Sequence, residues 1–187
     1  SVEVEGPLVG EFPMRGHKLL FADIQREEIP PRNPRDREKP RYKPQFKIIS
    51  VNEKADAQKA LGRLAESAFR RSVSEKEVAP YVQLFENERK KGEAFEPALR
   101  TAATALFCSP HFLFLRETPG ALDDFALANR LSYFLNRTAP DAELLALASQ
   151  GRLRANLRAQ TERLLKHKRF GRFITDFTEA WLNLRDM

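Results

Sequence analysis

The sequence predicts a mainly α fold: two small packed helical subdomains, about seven helices in all, preceded by a short extended or β segment and a Pro/Arg-rich linker. From Asp56 onward apolar residues recur at i, i+3, i+4 and i+7, the period of helices that bury one face. Pro30, Pro31, Pro34, Pro40 and Pro44 crowd one stretch, where fixed φ angles and missing N–H groups exclude a regular helix. The run "ETPGALDD", residues 117–124, is the strong break within the helical part. These features divide the chain into an extended segment and linker (1–53), a first helical domain (54–117) and a second (122–187).

Before the linker, "VEV" and "GPLVGEF" alternate enough to predict one or two short strands within residues 1–21, and "FKIISV" at 46–51 predicts strand on the far side. Ala57, Ala60, Leu61, Leu64, Ala65 and Ala68 then share one face of a first helix that ends near "FRRS", residues 69–72, where Arg70 and Arg71 suit the negative end of the helix dipole. Ser74 and Glu77 form a capping box that starts the second helix, whose stripe is Val78, Tyr81, Val82 and Phe85 and whose stop is Gly92. Phe95, Ala98, Leu99, Ala102 and Leu106 mark the third. "SPHFLFLRE", 109–117, reads as a short buried turn or helix opened by Ser109 and Pro110, and Cys108 before it as a buried, inert side chain.

In the second domain Asp123 or Asp124 caps a helix running through Leu135, apolar nearly all round and therefore central. Thr138 and Pro140 restart the chain in a helix with Leu144, Leu145, Leu147 and Ala148 inward, closed by Gly151. Leu153, Leu157, Gln160 and Leu164 predict a longer helix, and Phe170, Phe173, Ile174, Phe177 and Trp181 a last one whose stripe reads as core. Asp176 and Glu179 fall on its other face, solvated or paired with Arg172.

Composition excludes several functions. With 187 residues, 42% hydrophobic and 31% charged, the chain can bury an ordinary core or two small ones. No apolar run approaches the roughly 18 residues of a membrane span. A single cysteine rules out an internal disulfide, a thiolate-rich metal site and covalent attachment of a c-type haem in this chain. No histidine pair has metal-ligand spacing and no glycine-rich phosphate loop is present, so no metal site, resident cofactor or catalytic residue is assigned. The opening on Ser1 predicts an excised piece or a processed product.

Three residues stand as weak ligand-binding candidates. His111, in the first turn of an apolar segment, has an imidazole able to bond a carbonyl or ligate a metal or haem iron, although a structural histidine is the commoner outcome. Arg130 lies among Leu127, Leu131 and Phe134 and needs a partner if buried, with Asp141 or a helix-end carbonyl available. Arg130 and Tyr133 read as a structural bonding pair between helices. The net charge of +6 is spread along the chain, and its densest basic stretch, 32–47, makes Arg35, Arg37, Lys39 and Arg41 weak polyanion-binding candidates. A solvated, proline-stiffened linker is the reading its composition favours, and nucleic acid is not a favoured partner.

Taken together, "VEVEGPL" (2–8), "HKLLF" (17–21), "AFRRSVSEKEVAPY" (68–81), "SPHFLFLRE" (109–117), "ALANRLSYFLNRTAPDAELLALA" (126–148) and "FTEAWLNL" (177–184) resemble planctomycete multidomain proteins that join a c-type cytochrome-like domain to several helical domains of unknown function. The resemblance implies two adjacent helical domains, flanking domains of the same polypeptide as partners, haem in a separate domain, a polysaccharide as substrate, and export to the periplasm or envelope. It supplies no catalytic residues. The chain departs from the family pattern at Ser72, where proline usually follows the paired arginines, and at Asn136 and Arg137, where tryptophan and serine are usual. The function this implies is a non-catalytic docking module; the rivals are an enzyme domain acting on polysaccharide through His111, Arg130 and Tyr133, and a polyanion-binding module.

Overall fold

A computed structural model describes residues 15–39, 42–115, 117 and 119–183. Among the described residues the chain is mainly helical, with nine α-helices and one two-stranded sheet. It falls into two compact units, one of residues up to 65 together with 73–107, the other of 66–72 together with the chain from 108 onward.

The first described element of this unit is α1 (Arg15–Phe21). Arg63 holds the end of α1 by donating from Nε to the Leu19 carbonyl at 3.1 Å and by pairing with Asp23. The expected strands in "VEV" and "GPLVGEF" lie outside the described residues. Two strands follow, β1 (Gln25–Ile29) and β2 (Gln45–Ile49), antiparallel with Glu27 opposite Lys47. β1 reads "QREEI" and is exposed on nearly every residue, so it has no buried face and no hydrophobic alternation to betray it.

The proline-rich stretch is therefore the connection of a hairpin. It also holds one turn of 3₁₀ helix, Pro34–Glu38, while no regular α-helix forms there among the described residues. Pro34 is in the first turn, where its missing N–H costs nothing, and Asn33 caps that turn by accepting from the Arg35 amide.

Three helices complete the unit: α2 (Glu53–Phe69), whose last residues enter the second unit, α3 (Glu75–Lys90) and α4 (Phe95–Phe107). The predicted stripes are buried, with Leu61, Leu99 and Leu106 sealed from solvent and Phe85 meeting Phe95 edge-on at 5.2 Å. Tyr81 is only half-buried. The capping box is present, the Ser74 amide donating to Glu77 at 3.0 Å, and Gly92 takes the positive φ that stops α3. Arg89 forks onto Glu53 with two contacts of 2.7 Å, tying the first turn of α2 to the end of α3.

The second unit contains α5 (Pro110–Leu113), α6 (Asp124–Asn136), α7 (Ala142–Ser149), α8 (Leu157–Leu165) and α9 (Phe170–Trp181). α6 is central, packing on α7, α8 and α9. Its buried arc is narrower than predicted, because Ala128, Asn129, Ser132 and Leu135 face inward while Phe134 is 63% exposed. Ala128 and Leu135 join Leu144, Ala148, Leu153 and Leu164 in the core. The helix expected over Leu153–Leu164 is shorter than predicted, since Leu153 precedes a 3₁₀ turn and α8 begins at Leu157.

Three burial expectations are overturned. Cys108 is exposed, α5 is followed by exposed Phe114 and Leu115, and the stripe of α9 is not core, Trp181 being 73% exposed. Spacing identifies the apolar face of a helix but carries no information about what covers it.

Capping decides where the helices of this unit begin. Asp123 accepts from the Ala126 amide at 2.7 Å, and Asp124 is released to accept from the Leu153 amide at 2.8 Å. Asp141, rather than Thr138 or Pro140, caps α7, and Arg163 forks onto it at 2.7 and 3.1 Å. Partial burial pushes the Asp141 carboxyl up, but the Arg163 guanidinium and the Leu144 amide outweigh it and leave the carboxyl below its ordinary value. Asp141→Ala is expected to cost about 1–2 kcal/mol in denaturant unfolding at neutral pH, and Asp141→Asn, which keeps a capping oxygen, less. Because the folded-state pKa is lowered, the Asp141 contribution is present above the ordinary carboxylate range and is lost as pH falls through the folded value. The gap between wild type and Asp141→Asn should therefore close in acid.

Candidate functional site

The structure separates the three sequence candidates. Arg130 is on the outside of α6, its side chain 60% exposed, and forks onto Glu117 with Nε to Oε1 at 2.8 Å. That hydrogen bond raises the guanidinium pKa and lowers that of the Glu117 carboxyl. Arg130 thus meets neither Tyr133 nor Asp141. Of the large apolar residues of α6, Phe134 shares the exposed side with Arg130, whereas Leu135 is buried beside Ala128 and Ser132, and Leu127 and Leu131 pack partly buried against the core.

Tyr133 and His111 instead lie beside the paired arginines at the end of α2. Arg70 is 7% exposed and sits in the left-handed region at φ 59. Its Nη1 donates to the Tyr133 hydroxyl at 3.4 Å, and its Nη2 to the carbonyls of Phe112 at 3.0 Å and Phe114 at 3.4 Å. Arg70 is therefore the clamp that holds α5 and the start of the following loop. The Arg70 carbonyl, turned by the left-handed backbone, accepts from Asn129 Nδ2 at 3.5 Å, and the same nitrogen donates to the Phe125 carbonyl at 2.8 Å. His111 packs its ring 5.2 Å from Phe69, and its Nδ1 lies 3.4 Å from Arg71 Nη2.

These groups surround a small cavity of about 70 Å³ lined by Arg70, Arg71, His111, Asp123 and Asn129 among others. Among the described residues, Arg70 Nε and Asn129 Oδ1 have no hydrogen-bond partner. Sequence reasoning missed Arg70 as a site residue, reading it as a cation that suits the negative end of the α2 dipole. Its burial depends on a left-handed turn by a non-glycine residue, which no local signal announces.

The polyanion candidates are spread over the hairpin. Arg37 pairs with Glu28 at 2.9 Å, Lys39 pairs with Asp36 at 2.5 Å, Arg35 is exposed, and Arg41 lies outside the described residues. Two of the four charges are already matched by carboxylates. On α9, Asp176 pairs with Arg137 at 2.6 Å rather than with Arg172. Arg137 ends α6 in the left-handed region at φ 50. Among the described residues no three or more His, Cys, Asp or Glu side chains gather to hold a metal ion, and no helix is long and apolar enough to cross a membrane.

The aromatic row of α9 is the other notable surface. Phe173 stacks on Phe170 at 5.4 Å and on Phe177 at 5.5 Å, and Phe177 stacks on Trp181 at 6.0 Å. Phe134 of α6 joins this row at 5.0 Å from Phe173.

Residues 56–117 match the family PSD5, described as a protein of unknown function (DUF1595), and residues 122–187 match PSD4, described as a protein of unknown function (DUF1592). No curated protein and no solved structure matches the chain.

Proposed function

From the chain's two adjacent domains, DUF1595 followed by DUF1592, we propose a non-catalytic helical docking module within a larger protein. The single observation that carries this reading is the row of stacked aromatic rings on α9, half-exposed at Phe177 and mostly exposed at Trp181. Aromatic side chains left open in a contiguous row mark surfaces that another protein surface covers. The occupant we assign is a flanking domain of the same polypeptide. The motif resemblance supports the wider setting: an exported, periplasmic or envelope-associated protein whose haem is held in a separate domain and whose substrate is a polysaccharide.

Binding of this chain to the separately produced remainder of its polypeptide, followed by analytical ultracentrifugation, tests the reading. Phe177→Ser with Trp181→Ser should weaken the complex at least tenfold while far-ultraviolet circular dichroism stays unchanged, because neither side chain is buried in the free chain. Equal affinity for the double variant and the wild type would remove α9 as the docking face.

A further inference from the structure

The cavity beside Arg70 has the chemistry of a ligand site that the docking reading does not require. A guanidinium as buried as that of Arg70 ordinarily faces a carboxylate, yet its acceptors are two backbone carbonyls and a phenol, and among the described residues it makes no ion pair. One donor, Nε–H, remains unmatched in the buried state. Asn129 Oδ1 is an unmatched acceptor in the same wall, and its orientation is fixed because Nδ2 already donates to two carbonyls. Arg71 and His111 add basic groups to the lining, and Asp123, engaged as the cap of α6, is its carboxylate.

We propose that this cavity binds a small oxyanion that keeps one hydroxyl, the chemistry of hydrogen phosphate or of a short hydroxylated carboxylate. An anionic oxygen takes the Arg70 Nε–H and compensates the buried charge, while the hydroxyl donates to Asn129 Oδ1. Each buried orphan then has the partner of opposite polarity that it lacks. The volume of about 70 Å³ is several times the ~15 Å³ that a single water needs on the same measure and is too small for a nucleotide or a sugar chain.

The test is an NMR titration of the whole chain, reading the Arg70 Nε–H resonance, with phosphate, glycolate, sulfate and acetate at constant ionic strength set by chloride. Phosphate or glycolate should move that resonance saturably, and each should bind roughly fivefold more tightly than sulfate or acetate, which offer no hydroxyl to Asn129. Saturation by phosphate alone identifies a phosphate site, and by glycolate alone a hydroxy-acid site. His111→Ala, at a half-exposed position, should weaken the bound anion while preserving the fold. A resonance that responds to none of the four anions beyond chloride overturns the site. Sulfate and acetate binding as tightly as phosphate and glycolate overturns the hydroxyl requirement, and an affinity unchanged in His111→Ala overturns the assigned wall.

Discussion

Arg70→Ala is expected to lower the stability of the unit built on α5 to α9 by about 3 kcal/mol. The side chain supplies three hydrogen bonds from a charged donor, and its loss strands the carbonyls of Phe112 and Phe114. Alanine keeps the left-handed backbone at φ 59 and so relieves no strain, whereas glycine relieves about 1 kcal/mol. Arg70→Gly should therefore be the milder of the two variants. Tyr133→Phe removes one long contact of 3.4 Å and should cost under about 1 kcal/mol. Arg130→Ala, which breaks an exposed pair with Glu117, should also cost under about 1 kcal/mol. Denaturant-dependent hydrogen exchange at amides of α6 reads these differences within the unit. An Arg70→Ala cost as small as that of Arg130→Ala would mean that the clamp on α5 does not hold the unit together.

Phe85→Ala should be the most damaging single change in the unit of α2, α3 and α4, at about 3–5 kcal/mol. Phe85 is 1% exposed and its ring meets Phe95 edge-on, so truncation removes both the buried area and the aromatic contact and leaves a void where α3 packs on α4. Phe85→Leu, which refills most of that volume, should cost under about 1.5 kcal/mol. Exchange rates at α3 and α4 amides give the comparison. Equal costs for alanine and leucine would show that the site collapses around the missing ring.

Much of the second unit was legible residue by residue. A cap at Asp123 or Asp124 was readable because an aspartate ahead of an apolar run has an amide three residues on to accept from, and the contact at 2.7 Å puts it at Asp123. Ser74 with Glu77 was readable for the same reason. The hairpin was not, because β1 carries charge on both faces and is held by pairing with β2 and by Glu28 accepting from Arg37 and Tyr42. Among the site candidates, His111 and Tyr133 were found, but Arg70 was read only as a cation suited to a helix end, and Arg130 was read as bonded to Tyr133 between helices although it lies exposed and pairs with Glu117.

The sequence by itself determined the mainly α class, the helical stripes and most helix starts and stops, since period and capping act over a few residues and are written in neighbouring side chains. Which stripes are covered was decided only by the tertiary structure. α9 has a better-formed aromatic row than any other helix, yet Trp181 is open, while α6 buries Ala128 and Ser132 where it packs on its neighbours. Burial is a property of what lies opposite a face, and opposite faces are brought together by residues far apart in the chain. Arg70 belongs to the same class of fact: a left-handed turn 42 residues before Phe112 carries its guanidinium to that carbonyl, and no spacing within α2 records it.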